Sequence, residues 1–190
     1  STQGVSSAAS DVYKRQHMVR VYDDVLSPEK CKELIDLFED HPDHQEYINE
    51  DHKPCFTQIN LNQHHMDVTR SLMPNIRFCY EKYKKDTSSF FLPQFSLLEE
   101  FRIKRYIPGG EERFDEHVDV GDYSTARRAL AFLVYFNEND GKTVFTHHEL
   151  NISPIHGRVL VFPPTWEYPH AGLAPSDNTK YIMSTYLHYG

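Results

Sequence analysis

The sequence predicts an α+β fold. Helical periodicity is confined to the first half of the chain, strand-like runs fill the second half from residue 97, and turn-forming clusters separate those runs. VRVYDDV, directly after Met18, reads as an opening strand. Ser27-Pro28 then supplies a helix N-cap and a proline at the first helical position. Cys31, Leu34, Ile35 and Phe38 follow at the spacing of one buried helix face. Residues 40–54 are acidic, His-rich and aperiodic, which predicts a loop, and KPCFTQINL reads as a strand. Val68, Leu72, Ile76, Tyr80 and Tyr83 recur at helical spacing between Asp67 and Lys85. Pro74 lies inside that stretch, so the helix is expected to begin near it or to kink there. Residues 86–96 read as a loop. LLEEFRIKRYI, RRALAFLVYF, RVLVF and KYIMSTYLHY read as strands, punctuated by Pro-Gly-Gly, Asn-Asp-Gly and Pro-Pro.

Composition narrows the class. A hydrophobic content of 39% in 190 residues suits one globular domain, expected over residues 18–190. Residues 1–17 are small, polar and aperiodic, with no apolar signal core, and read as a flexible tail or a cloning-derived segment ahead of a native start at Met18. No run of apolar residues is long enough for a membrane helix. The formal charge of −8 argues against a broad nucleic-acid-binding face. Cys31, Cys55 and Cys79 lack paired spacing and read as reduced thiols of a cytoplasmic protein. Oligomeric state is not readable.

The residues that carry chemistry are His117 and Asp119, with His170 51 residues beyond Asp119 and Lys180 ten further on. In a strand, residues two apart point to one side, so His117 and Asp119 can converge on one ion around Val118. Two imidazoles and one carboxylate suit a non-haem Fe(II) centre with open positions. The tripeptide alone is weak: about two His-x-acid matches are expected by chance, and the chain has five. His41/Asp43 and His44/Glu46 lie in a polar stretch, His65/Asp67 precedes a helix, and His147/Glu149 stands too close to His170 for strands to intervene. Only His117/Asp119 has a strand-like run before it and a downstream His followed by a strand bearing a lysine.

RYIPGGEERFDEHVDV resembles the Tyr-x-x-Gly…His-x-Asp segment of prolyl 4-hydroxylase-like 2-oxoglutarate/Fe(II)-dependent dioxygenases. NDGKTVF resembles their Gly-Gly-Glu-Thr-x-Phe turn, ISPIHGRVLVFPPTWEYPHAG their distal His strand, and TKYIMSTYLHY their closing Lys-bearing strand. The likeness runs collinearly over roughly residues 98–189 and extends weakly to VYDDVLSPEKCKELI. Asp140 and Lys142 depart from the turn, standing where Gly and Glu are usual, and Phe114 stands where an aromatic, often Tyr, precedes the metal His.

The resemblance implies a double-stranded β-helix (jelly roll) core with N-terminal helices packed on one sheet. It implies Fe(II) held by His117, Asp119 and His170, with 2-oxoglutarate and O2 as co-substrates and ascorbate as a possible support of activity. Lys180 would anchor the far carboxylate of 2-oxoglutarate, with Arg128 and Arg158 as substitutes should it face elsewhere. Tyr106 and Thr143 match positions near the co-substrate. The implied reaction is hydroxylation of a C–H bond, foremost in a prolyl residue of a peptide or protein, through an open entrance built from loops 40–66, 86–96 and 111–127. Alternatives are a free amino acid, another small molecule or a nucleobase as substrate. A cupin-like metal enzyme without 2-oxoglutarate would not need Lys180, and a non-enzymatic binding module would need no metal. Trp166 is expected at the entrance or packed beside Pro164, and His147 and His148 as a solvated pair.

Overall fold

The computed structural model describes residues 18–50 and 54–190. The proposed tail, residues 1–17, lies outside the described residues. Strand β1 (Arg20–Tyr22) is followed by helix α1 (Pro28–Asp40), whose N-cap Ser27 hydroxyl accepts the Lys30 N–H. A 3-10 turn (Pro42–His44) leads into the hairpin β2 (Glu46–Asn49) and β3 (Cys55–Asn60). Helices α2 (Leu61–His64) and α3 (Met66–Thr87) come next. The rest is strand: β4 (Arg102–Tyr106), β5 (Phe114–His117), β6 (Arg128–Tyr135), β7 (Thr143–Phe145), β8 (Leu150–Ile152), β9 (Val159–Phe162), β10 (His170–Gly172) and β11 (Lys180–His188).

Two antiparallel sheets result. The larger has the order β1-β9-β6-β11-β4-β3-β2, the smaller β5-β10-β7-β8. Strict alternation in the central strands divides the larger sheet between two cores. Phe132 and Val134 of β6, Val159 and Val161 of β9, and Met183 and Leu187 of β11 face the helices. There they meet Leu34 and Phe38 of α1 and Leu72, Ile76, Tyr80 and Tyr83 of α3. The other faces carry Leu133, Tyr135, Leu160, Phe162, Ile182 and Tyr186, which pack with Phe145 toward the smaller sheet. Lys180, Ile182 and Ser184 therefore share the face that looks between the sheets. The architecture is the expected double-stranded β-helix, without closure into a barrel.

Three sequence expectations need correction. The stretch 40–54 is not all loop: it contains β2, an edge strand whose mostly exposed side chains leave no apolar alternation to read. α3 begins at Met66 and runs through Pro74, so of the two alternatives the start near the proline does not hold. Pro74 and Arg70 are both exposed, which puts the hydrogen bond that the proline removes on the outer face of the helix. The strand expected from residue 97 begins only at Arg102, with Leu98 contributing an isolated bridge to Leu187. Cys31, Cys55 and Cys79 are buried and free, as expected. Among the described residues, no helix is long and apolar enough to cross a membrane.

Gly157 ties β1 and α1 to β6. Its carbonyl accepts the Val25 N–H at 2.9 Å, and its own N–H donates to Tyr135 O at 3.0 Å. Its φ is +73°, and an added Cβ would sit 2.1 Å from Leu26 O. Gly157→Ala is therefore expected to cost about 2–4 kcal/mol in urea unfolding. Gly121→Ala, at a position with open space around it, should stay within about 0.5 kcal/mol of wild type.

Candidate metal centre

The smaller sheet brings the two histidines together. β5 and β10 pair antiparallel with His117 directly opposite His170, and the ring centroids lie 4.4 Å apart. Each imidazole is fixed through Nδ1, toward Asp115 O at 2.8 Å in His117 and Tyr168 O at 3.1 Å in His170. A carbonyl can only accept, so Nδ1 carries the proton and Nε2 keeps its lone pair. That tautomer, set by a backbone carbonyl, is the one metal-binding histidines use. Phe114 stacks flat on the His117 ring at 3.4 Å.

Asp119 follows the end of β5 and completes the group. Its Oδ1 lies 3.4 Å from His117 Nε2 and its Oδ2 3.6 Å from His170 Nε2. One ligand atom from each of the three lies within 4.8 Å of the others. The carboxylate is 8% exposed. Burial would raise its pKa, but the two neighbouring imidazoles and the hydrogen bond donated by the Tyr186 hydroxyl hold it down at about 2. It is thus an anion at any working pH. Tyr186 on β11 donates to Oδ1 at 2.9 Å, and Arg128 donates to the Asp119 carbonyl at 2.7 Å. Neither contact is legible in the sequence, because both reach across from the larger sheet. The donor set, two free Nε2 atoms and a buried carboxylate on one side of a cavity, fits Fe(II).

Lys180 begins β11 opposite Tyr106 of β4. It is 1% exposed. Among the described residues no carboxylate lies within ion-pair distance of its ammonium, whose nearest aromatic neighbour is the Tyr106 ring at 5.1 Å. Burial alone pulls its pKa down to about 7. Gly172 leaves space before the ammonium, since a Cβ there would stand 3.7 Å from Nζ. Thr143, also buried, accepts the Tyr135 hydroxyl at 2.7 Å. Tyr106, Thr143, Gly172 and Ile182 line one small chamber together with His117, Asp119 and His170. Arg128 and Arg158, the substitute anchors, are engaged elsewhere: Arg128 pairs with Glu99 and Arg158 with Asp23.

The chamber opens into a cleft of about 640 Å3 that shares His117, Asp119 and Tyr186. β2, β3 and the loop 121–125 supply its walls, through Ile48, Phe56, Gln58 and Thr125 among others. Of the three loops expected there, 86–96 contributes no lining residue. Lys104, which sequence reasoning passed over, is half-buried between chamber and cleft, above the Phe56 ring. Burial lowers its pKa to about 8, against the opposing pull of Asp119. Trp166 is 76% exposed and lines neither space. His148 stacks on Tyr168 and, with His147, joins no metal-competent group among the described residues.

The depressed pKa of Lys180 has a sign that can be measured. Folded, it titrates near 7 instead of 10.5. Below pH 7 the folded chain must keep an unpaired ammonium buried, so the full cost is present. Between pH 7 and 10.5 the unfolded chain holds more protons, and the cost fades as pH rises. Without co-substrate, Lys180→Met should therefore melt higher than wild type at pH 6, by roughly 5 °C, with a smaller gap at pH 9.5. A variant less stable than wild type at pH 6 would show that the ammonium has a partner in the free protein.

The model of the 2OG-Fe(II) oxygenase superfamily matches residues 101–188, which include all three triad residues and Lys180. No curated protein matches the chain by sequence. Similar solved structures include a Pseudomonas putida prolyl-4-hydroxylase, at 16% identity and TM-score 0.72, covering 96% of this chain and 98% of that one. A viral collagen prolyl hydroxylase from Paramecium Bursaria Chlorella virus-1, solved with 2OG, aligns at 19% identity and TM-score 0.67 over 91% and 97%. A prolyl hydroxylase from Trichoplax adhaerens, in complex with a hypoxia inducible factor peptide fragment, aligns at 11% and 0.71 over 98% and 94%. At these identities the structures establish a shared fold, and residues 101–188 match the 2OG-Fe(II) oxygenase superfamily, which supports a dioxygenase that uses Fe(II), 2-oxoglutarate and O2.

Proposed function

We propose that residues 18–190 act as one catalytic unit that hydroxylates a prolyl residue in a peptide or protein, with His117, Asp119 and His170 holding Fe(II) and Lys180 binding 2-oxoglutarate. The observation that carries this reading is the placement of a buried, unpaired ammonium behind a two-His-one-carboxylate group at the floor of an open cleft. When bound, the iron and 2-oxoglutarate supply an oxidative decarboxylation coupled to C–H hydroxylation, the hard chemistry of the reaction.

The chain's residues supply position and exclusion of water. His117 and His170 present Nε2 in one fixed tautomer. Asp119 brings the negative charge, and the Tyr186 hydroxyl orients it by donating to Oδ1. Lys180 meets the distal carboxylate in a low-dielectric chamber, a charge-assisted contact that selects a dicarboxylate over a monocarboxylate oxo acid. The Tyr135–Thr143 pair and the Tyr106 ring shape the same chamber. Tyr106 keeps its phenol proton, because burial raises its pKa well above the ordinary value. It can therefore donate to a ligand oxygen.

An open cleft suits an extended peptide better than an enclosed small molecule. Its rim offers both charge signs, Arg102 and Lys104 against Glu50 and Glu99, for contact along a chain. The Trichoplax relative of the same fold holds a peptide fragment, which supports the reading. A cytoplasmic location is part of the proposal, on the strength of three free, buried cysteines.

Proline-rich peptides incubated with the enzyme, Fe(II), ascorbate and 2-oxoglutarate should gain the mass of one oxygen. Gain only on a free amino acid or a nucleobase would replace the peptide reading. His117→Ala and Asp119→Ala should stop 2-oxoglutarate turnover while leaving the circular dichroism unchanged; full uncoupled decarboxylation in either would overturn the ligand assignment. In Lys180→Met, the 2-oxoglutarate half-saturation point should rise by about a hundred-fold or more, since the incoming carboxylate loses its buried partner, on the order of 3–5 kcal/mol. An unchanged half-saturation point would move the anchor to another residue, with Lys104, which lines the same chamber, the first candidate.

A further inference from the structure

Four of the chain's imidazoles gather away from the catalytic cleft, which none of them lines. His41 caps the C-terminal end of α1, His44 ends the following 3-10 turn, and His65 separates α2 from α3. The His41 and His44 rings stack at 5.1 Å, and His65 meets His41 edge-on at 4.7 Å. His44 Nδ1 stands 3.1 Å from His65 Nε2. Two ring nitrogens at that distance share one proton at most, so at least one lone pair points inward. His41 Nδ1 is committed to Leu37 O at 2.8 Å, which leaves its Nε2 free, the tautomer control typical of metal-bound histidine. One ligand atom from each of these three residues lies within 4.8 Å of the others. His64 stacks on His44 at 4.3 Å and holds that ring from behind. Asp43 places a carboxylate oxygen 3.5 Å from His44 Nε2, where it can offset added positive charge.

We propose that His41, His44 and His65 form a second metal site, separate from the catalytic one, for a borderline divalent ion of the Zn2+ type. Three neutral imidazoles suit Zn2+, Co2+, Ni2+ or Cu2+ and disfavour Mg2+ and Ca2+, which prefer oxygen donors. Zinc bound to imidazole at about 2.0–2.1 Å holds its donor atoms about 3.3 Å apart in a tetrahedron. The donor atoms, now within 4.8 Å of one another, would draw in to that spacing around the ion, with solvent in the fourth position. The ion would clamp the end of α1 to the start of α3. It would also fix the root of β2, which begins two residues after His44 and carries Ile48 into the cleft wall. The site is structural and does not depend on the proposed substrate.

Calorimetric titration of metal-free protein with ZnCl2 separates the two sites. Wild type should bind two equivalents. His117→Ala, which breaks the catalytic triad, should retain one, with a dissociation constant below about 10 μM. The double variants His117→Ala/His65→Asn and His117→Ala/His44→Asn should retain none. His65→Asn alone should keep its Fe(II)-dependent 2-oxoglutarate turnover. If His65→Asn does not fold, His117→Ala/His41→Gln serves the same purpose, because His41 lies at a helix end. Co2+ added to His117→Ala should give visible d–d bands that the second substitution removes. Absence of high-affinity Zn2+ binding in His117→Ala, or binding unchanged by the His44, His65 and His41 substitutions, would overturn the proposal.

Discussion

The burial of the Lys180 ammonium with no ion-pair partner among the described residues is the constraint on which the site depends. Unpaired charges are rarely kept in a protein interior, because desolvation is costly and nothing offsets it. Here the surrounding sheet makes the burial unavoidable. β11 lies between β6 and β4, so its register cannot shift without moving both neighbours. Ile182 and Tyr186 on the same face are locked into the core between the sheets. A slip of one residue would turn Lys180 toward the helices and bring Tyr181 into the chamber. The strand that stabilises the fold therefore also fixes the position of the buried charge.

The metal group obeys a similar logic in the smaller sheet. Pairing His117 opposite His170 delivers both imidazoles to one point. Asp119, just past the strand, is then drawn in by contacts from the opposite sheet, the Tyr186 hydroxyl to its carboxylate and the Arg128 guanidinium to its carbonyl. Arg128 is anchored in turn by Glu99. The two sheets thus contribute different parts: the smaller one most of the proposed metal ligands, the larger one the contacts that orient Asp119 and the buried Lys180.

Much of this was legible from residue order. The central strands β6, β9 and β11 were readable because both of their faces are apolar or alternate cleanly. α1 announced itself by Ser27-Pro28. The triad and Lys180 were legible through spacing and through resemblance to a known family. β7, β8 and β10 are only three residues long, too short to show a period. β2 is an exposed edge. Tyr135 and Tyr186 looked like ordinary core residues, since only the fold shows where a hydroxyl points. Lys104 looked like any strand lysine until the sheet turned it toward the cavity. The His41–His44–His65 group was hidden for a further reason: its members come from separate turns, and no short spacing joins His65 to the other two.

The central claim is that Lys180 waits for a carboxylate. It is tested most directly by following the lysine side-chain NMR signals of zinc-substituted, diamagnetic enzyme against pH, with Lys180 assigned by its loss in Lys180→Met. Without 2-oxoglutarate the resonance should titrate near 7, the value that burial imposes. With 2-oxoglutarate bound it should move above about 9, as an opposite charge restores the ammonium, and a monocarboxylate 2-oxo acid should leave it unmoved. A Lys180 signal that titrates at the ordinary lysine value in the free enzyme, or does not respond to 2-oxoglutarate, would contradict the account.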